Sequence, residues 1–357
     1  MKEKVLLLQG TLSLYNVPLY KVLAEGVDLT VAYTVKNECE EKVFFKVKQL
    51  KYSNVYGLFF MKSGFWKFCS EFDVVIFMPD LHYISYCLLP FVHRRYKVIP
   101  WTIGLRASYT RPYDVKRKQY FIDKIYGKVL NQSDAIIFYM KAPLKFWGKS
   151  IDKNKVFIAH NTVEVLKNEI IECKVRNRIL FIGTLYKAKN IYELIDAYIQ
   201  AKTICNSENF LCLDIIGKGE EYENIKAIIE EGKLTDFIFL HGPVYEEKKI
   251  AEFFSTSLLC ISPDQAGLSV LKSMGYGVPY VTKHDAITGG ERLNIINNTN
   301  GLLYNNQEEL VAIIVKAFNE PEKFIDLGNA AQIYYNSNTT INHMAQGFLD
   351  AIEFVMK

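Results

Sequence analysis

The chain of 357 residues contains no Cys-x-x-Cys pair and no apolar run long enough to cross a bilayer. Its seven cysteines, Cys39, Cys69, Cys87, Cys173, Cys205, Cys212 and Cys260, are odd in number and widely spaced, which argues against a disulfide framework or a zinc ribbon. The longest apolar candidate, Tyr83 to Val92, stops at His93-Arg94-Arg95, short of the ~18 uninterrupted apolar residues a spanning helix needs. Six scattered histidines make a metal centre an unpromising reading, and no metal or other cofactor is expected. Neither His-Glu-x-x-His, a Gly-x-Ser-x-Gly elbow nor a Walker lysine motif occurs. Before Gln9 the first strand carries only four strongly apolar residues, too few for the core of a secretion signal, so the cytoplasm is the expected compartment.

What is present is an apolar chain with a divided charge. Half of the residues are hydrophobic and 14% aromatic, enough for two buried cores and incompatible with a disordered chain. The formal net charge of +4 conceals 23 basic and 12 acidic residues in 1–150 against 20 and 27 in 151–357. Length and charge together predict two domains with different partners. Val5 to Leu8, Asp28 to Tyr33, Asp73 to Phe77, Lys97 to Ile99, Asp134 to Phe138 and Lys155 to Ile158 read as buried strands separated by helical stretches. From Glu164 to Arg178 the chain turns polar. The alternation then restarts with strands at Arg178 to Gly183, Leu211 to Gly217, Phe237 to Leu240, Leu258 to Ser262 and Pro279 to Thr282. Helices fall between them, at Ile191 to Ala201, Tyr222 to Glu231 and Glu246 to Phe254. The pattern predicts α/β architecture with two doubly wound Rossmann-like domains in tandem, which generate a cleft where ligands of such sheets bind.

The most informative stretch runs from Ser262 to Pro279. A strand ends at Ser262, a turn holds Gly267, and a helix starts near Leu268 and stops at Gly277-Val278-Pro279. Free N–H groups at such a helix start suit a diphosphate, although an ordinary βα turn has the same outline. This stretch resembles the signature of retaining nucleotide-sugar glycosyltransferases of the GT-B fold, in particular glycosyltransferase family 4. That pattern is an acidic residue, seven others, a glutamate, then Ala-Met and Gly-x-Pro. Phe181 to Asn190 resembles the family's Gly-Arg-Leu-x-x-x-Lys-Gly segment, Asp214 to Glu220 its Ile-Gly-x-Gly element, and Leu240 to Val244 its Phe-x-Gly turn. Trp101-Thr102-Ile103-Gly104 stands where many members carry His-Gly.

The resemblance implies a GT-B enzyme that moves a sugar from a nucleotide-sugar donor to a saccharide or lipid-linked acceptor, with retention and without a metal, in cell-surface polysaccharide, lipopolysaccharide or capsule synthesis. It implies an acceptor domain at 1–165, a linker at 166–178, a donor domain at 179–338 and a helix at 339–357 packing back on the first domain. Lys189 would set an ammonium on the diphosphate, with Gly183, Thr184, Gly217 and Gly219 around it. Gly267 and Leu268 would offer backbone N–H groups, and Gly10 and Thr11, in the loop after the first strand, would face them. Asp264 would accept hydrogen bonds from donor sugar hydroxyls. Glu291, after the Gly-rich turn Thr288-Gly289-Gly290, is a candidate replacement carboxylate, or else a helix N-terminal acid.

Four departures from the pattern stand out. Thr184 replaces an arginine, Asp264 at the first acidic position is one methylene shorter than glutamate, Ile103 cannot serve as a histidine would, and Lys272 stands where a second carboxylate normally takes the ribose hydroxyls. Ribose recognition must differ, or Lys272 binds phosphate or an acidic sugar. A non-catalytic GT-B binding module and a sugar-nucleotide isomerase are the alternatives. The segment Arg106 to Lys128 carries a net +5 with interleaved Tyr109, Tyr113, Tyr120, Phe121 and Tyr126. Arg106, Arg111, Lys116, Arg117 and Lys118 suit an anionic membrane surface at the inner face of the cytoplasmic membrane, or a solvated helix face over an aromatic core. Nucleic acid is not an expected partner.

Overall fold

The computed structural model describes residues 2–39, 43–107, 112–166 and 175–357. The chain divides into two units, residues 1–163 with 340–357, and residues 164–339. In the first unit a parallel sheet has the order β3-β2-β1-β6-β7-β8-β9. Its strands are β1 (Lys4–Leu12), β2 (Asp28–Asn37), β3 (Lys46–Gln49), β6 (Val74–Phe77), β7 (Lys97–Thr102), β8 (Ile136–Phe138) and β9 (Val156–Ile158). A hairpin, β4 (Tyr52–Val55) and β5 (Leu58–Met61), stands apart from it. The helices are α1 (Val17–Gly26), α2 (Phe65–Cys69), α3 (Ile84–Cys87), α4 (Phe121–Asn131) and α5 (Pro143–Trp147).

Why β1 is continuous in hydrophobicity is visible in its packing. Val5 and Leu7 enter one core and Leu6 and Leu8 the opposite one, so alternating side chains both find cover. Strand β3 gave no apolar signal because it is an exposed sheet edge whose Lys46 and Lys48 keep other chains from pairing with it.

The second unit repeats the plan with the order β12-β11-β10-β13-β14-β15. Its strands are β10 (Arg178–Ile182), β11 (Cys212–Ile216), β12 (Ile238–Gly242), β13 (Ser257–Ile261), β14 (Tyr280–Lys283) and β15 (Gly301–Tyr304). Its helices are α6 (Ile191–Cys205), α7 (Tyr222–Glu231), α8 (Glu247–Thr256), α9 (Ser269–Gly275), α10 (Gln307–Asn319) and α11 (Pro321–Asn338). In both sheets the strand order reverses beside the first strand, which creates a switch point at the carboxyl ends. The final helix, α12 (Ile341–Met356), returns to the first unit, where Met344, Phe348 and Ile352 join the core behind β1. Gly347 lets the helix ride close to β9, since a Cβ there would stand 2.2 Å from the Ile158 carbonyl oxygen.

Two expectations change here. Gly10 and Thr11 do not form a loop: β1 runs on through them to Leu12, with Thr11 opposite Lys36 and an irregularity between Gln9 and Thr11. The glycine is required by packing, because a Cβ would lie 2.4 Å from the Tyr83 hydroxyl. The basic segment is also not uniformly available to a membrane. Arg117 forms a two-pronged ion pair with the buried Asp123 at 2.7 and 2.8 Å, and its guanidinium lies over Phe146. Burial pushes the Asp123 carboxyl up, but Arg117 and the Tyr120 N–H outweigh it and hold it below the usual range. Arg111 and Tyr109 lie outside the described residues.

Candidate functional site

At the switch point of the second sheet, the loop after β10 carries Gly183 to Lys189. Two glycines hold this loop against its neighbour. A Cβ on Gly217 would stand 1.9 Å from the Gly183 carbonyl oxygen, and one on Gly219 2.0 Å from that of Leu185. The N–H groups of Gly183 and Gly217 are consumed by the carbonyls of Ile216 and Gly242. Gly217 and Gly219 therefore position the loop by close backbone approach, and neither Gly183 nor Gly217 has its N–H left for a ligand. Thr184, between them, is exposed.

Lys189 ends a short helical turn, and Asn190 follows in the left-handed region (φ 50°) to open α6. The lysine is only 7% exposed, and its ammonium has no hydrogen-bond partner among the described residues. Burial pulls its amine down to about 8, partly resisted by Cys260 and Glu291. A buried cation held in this way is poised to gain from an arriving anion. Gly183 runs alongside, with its missing Cβ 3.5 Å from the lysine Nζ.

Asp264, after β13, sits in a network. Its Oδ1 meets the Lys283 ammonium at 2.7 Å and its Oδ2 accepts from the Asn190 amide at 2.9 Å. The Lys283 ammonium also donates to Glu193 Oε2 at 2.5 Å, the Asn190 amide donates to the same oxygen at 2.7 Å, and the Tyr304 hydroxyl donates to Glu193 Oε1 at 3.2 Å. Burial pulls the Lys283 amine down, but Asp264 and Glu193 outweigh it and hold it above its usual value. Asn190, Glu193, Lys283 and Tyr304 were not singled out from the sequence as site residues. They come from the start of α6, from β14 and from β15, and only Asn190 lay inside a recognisable motif.

Glu291 is buried and folds into its own turn, accepting from the Gly289 N–H at 2.9 Å and the Thr288 hydroxyl at 3.2 Å. Its charge acts on Lys189. The next residue, Arg292, has a buried Nε without a partner among the described residues.

The stretch 262–279 folds as its spacing predicts, with α9 short and Leu268 at its N-cap. The space around Gly267 is open: a Cβ there would meet nothing within 4 Å. Lys272 is one turn into α9, and its charge is already answered. Its ammonium pairs with Glu247 Oε2 at 2.6 Å, while the Tyr276 hydroxyl donates to Oε1 of the same carboxylate at 2.6 Å. The structure thus brings Gly183, Lys189, Asp264 and Glu291 to the carboxyl end of one sheet, assigns Gly217 and Gly219 to packing, and engages Lys272 elsewhere. Gly10 and Thr11 belong to β1 of the other unit.

Residues 163–333, nearly the whole second unit, match the family model described as Glycosyl transferases group 1. An uncharacterized glycosyltransferase of Methanocaldococcus jannaschii is 26% identical over 301 residues, covering 79% of this chain and 73% of that protein. Poly(glycerol-phosphate) alpha-glucosyltransferase of Bacillus subtilis is 34% identical over 107 residues, 29% of this chain and 15% of that protein. Among solved structures, Anabaena HepE in complex with UDP and glucose superposes with a TM-score of 0.69 at 13% identity, covering 98% of this chain and 99% of that one. WaaG, a glycosyltransferase involved in lipopolysaccharide biosynthesis, superposes with a TM-score of 0.64 at 12% identity, covering 97% and 98%. The fold is GT-B.

Proposed function

We propose that this chain, a glycosyltransferase of the GT-B fold, transfers a hexose from a nucleoside-diphosphate sugar to a saccharide acceptor in the synthesis of a surface polysaccharide, with retention and without a metal. The observation that carries the reading is Lys189, a buried ammonium without a hydrogen-bond partner at the switch point of a group 1 glycosyltransferase domain. The complex of HepE with UDP and glucose supports uridine diphosphate as the donor's leaving group, and the part WaaG takes in lipopolysaccharide biosynthesis supports a surface glycan as the product.

Lys189 would stabilise charge on the departing diphosphate, with the N–H groups of Gly267 and Leu268 beside the open space at the α9 start. Asp264 would accept from donor sugar hydroxyls. Lys283 and Asn190 hold one of its oxygens each, which fixes its direction. The bond from the anomeric carbon to the diphosphate breaks, an acceptor oxygen bonds to that carbon from the same face, and the acceptor's proton passes to the leaving diphosphate. Glu291 would set the Thr288–Gly290 turn and temper the charge of Lys189. The carboxylate pair Glu193 and Asp264 already holds a cation in Lys283, which supports metal independence. Chelator should leave the rate unchanged; a rate restored only by a divalent cation would refute that part.

The exposed side of α4 and of the segment just before it supports attachment to an anionic membrane. Tyr120 and Phe121 are 63% and 78% exposed, and Lys116, Lys118, Lys124 and Lys128 surround them in the open. No helix among the described residues is long and apolar enough to cross a membrane.

The functional reading is tested by titrating UDP and a panel of nucleotide sugars into the purified protein and following donor consumption with candidate acceptors. Binding and transfer are expected. Binding without turnover on any acceptor would favour a non-catalytic module, and no binding of any nucleotide sugar would refute the reading.

A further inference from the structure

Among the described residues three arginines, Arg94, Arg117 and Arg292, have an enclosed Nε without a hydrogen-bond partner. In two of them the charge is still answered through the terminal nitrogens: Arg94 reaches Asp134 at 2.8 Å, and Arg117 grips Asp123 at 2.7 and 2.8 Å. Arg292 is different. It is half-buried, yet its guanidinium makes no hydrogen bond or ion pair among the described residues. Burial pulls the guanidinium below the usual arginine value, and Asp285, on the loop after β14, resists only through space. A half-enclosed cation with no counter-charge in contact gains from an arriving anion.

The backbone beneath this side chain is held in place. The Arg292 N–H donates to Thr288 Oγ1 at 3.2 Å, and the same oxygen accepts the Gly290 N–H at 2.9 Å. Just before that turn, Ile287 exchanges hydrogen bonds with the loop that follows β13. Its N–H donates to the Asp264 carbonyl and its carbonyl accepts the Ala266 N–H, both at 2.8 Å. Arg292 therefore rises from a turn laced to the loop that runs from Asp264 to the open start of α9. Its chain neighbour Glu291 is near enough to act on Lys189. Two cations without a carboxylate in contact, Lys189 and Arg292, thus belong to the carboxyl end of one sheet.

We propose that Arg292 is the second cation of the donor site and grips a pair of anionic oxygens on the nucleotide sugar. A guanidinium fork binds phosphate or carboxylate through two parallel N–H···O bonds, which a single ammonium such as Lys189 cannot do. Two parts of a donor can present such a pair, the diphosphate and the carboxylate of a uronic sugar, and the test separates them. A neutral ligand would leave the guanidinium as unanswered as it stands. The inference rests on the reading of the chain as a nucleotide-sugar transferase.

The test is calorimetric titration of UDP, UDP-glucose and UDP-glucuronate into the full chain, as wild type, Arg292→Met, Arg292→Lys and Lys189→Ala. Arg292→Met, which keeps the apolar stem and deletes the charge, should weaken binding about tenfold or more. Arg292→Lys, which keeps the charge without the fork, should recover part of the loss. An equal loss for all three probes assigns the guanidinium to the diphosphate, and a loss confined to UDP-glucuronate assigns it to the sugar carboxylate. Arg292→Met should melt no lower than the wild type, because what it removes is an unanswered cation. A lower melting temperature together with a loss of affinity that Arg292→Lys does not relieve would mark a structural arginine and overturn the assignment. Wild-type affinity of Arg292→Met for all three probes would overturn it as well, and if Lys189→Ala still lost UDP in the same titrations the donor reading would survive. No binding of these or any other nucleotide sugar by the wild type would overturn both.

Discussion

The two sheet edges of this molecule handle polarity in opposite ways. In the second unit the edge is crowded with charge and almost every charge is answered: Lys272 by Glu247, Lys283 by Asp264 and Glu193. Lys189 alone among these three lysines is buried without a hydrogen-bond partner among the described residues. In the first unit the corresponding end borders a cavity of about 540 Å³ walled by Trp101, Tyr126 and Tyr139, with few charged groups beside them. The difference teaches that ligand preference follows the local unmet group and not the field of the half. Residues 151–357 are net acidic, yet they hold the anion-ready cation.

The largest effect expected from breaking this contrast is at Lys189. Replacement by alanine should reduce transfer by ~10²-fold or more, the scale of losing one charge-stabilising donor at a reacting centre. The same position should trade function for stability. Its folded pKa of about 8 lies below the ordinary lysine value of 10.5. At neutral pH the protonated form therefore costs the native state on the order of 3 kcal/mol. Lys189→Met should raise the melting temperature at pH 7 while abolishing donor binding. The wild type should gain stability as pH rises from about 8 toward 10.5, because there the unfolded chain still binds the proton that the native state has released. A melting temperature unmoved by Lys189→Met would remove the strained-cation account.

A comparable stability effect, with a different origin, is expected at Asp214. Its carboxylate is buried on β11 between Arg178, with a contact at 2.8 Å, and His241 at 2.6 Å. Burial pushes its pKa up, but Arg178 and His241 outweigh it and hold it below the usual range. Its contribution is present above the ordinary carboxylate pKa near 3.8 and is lost as pH falls through the lowered value. Asp214→Asn should cost about 3 kcal/mol by leaving the guanidinium half-answered, measured by chemical denaturation. Lys283→Met should cost less, ~2 kcal/mol, since its partners are partly solvated, but should also weaken donor sugar binding by turning Asp264 loose. If Lys283→Met left both readings untouched, the Asp264 network would be decoration and not support.

The smallest effect belongs to the exposed segment just before α4. Lys116→Glu with Lys118→Glu should reduce sedimentation with anionic vesicles, each lysine accounting for about 1 kcal/mol, and salt should mimic the change. Arg117 is left out because its charge is spent on Asp123. Sedimentation indifferent to salt and to charge reversal would discard the membrane reading.

Most of the architecture was legible because parallel strands buried on two faces write continuous apolar runs, as Val5 to Leu8 and Leu258 to Ile261 do. Strand β15 and the exposed β3 escaped, the latter because an edge strand need not be apolar. In the site, Lys189 and Asp264 were legible through spacing along one segment each. Glu193, Lys283 and Tyr304 were not, since they meet only when α6, β14 and β15 converge. The same holds for Gly217 and Gly219, whose pattern suggested phosphate contact while the backbone of 183–185 occupies the space their missing side chains leave. Ile103 drew attention as a missing imidazole, and His82, about twenty residues upstream, lines the same cavity of the first unit.

The central claim is most directly tested by calorimetric titration of UDP into the wild type, Lys189→Ala and Lys189→Arg between pH 7 and 9.5. The wild type should bind and lose affinity as pH rises past about 8, Lys189→Arg should keep whatever affinity it has across that range, and Lys189→Ala should bind at least tenfold more weakly at pH 7. UDP affinity in Lys189→Ala equal to that of the wild type would contradict the account.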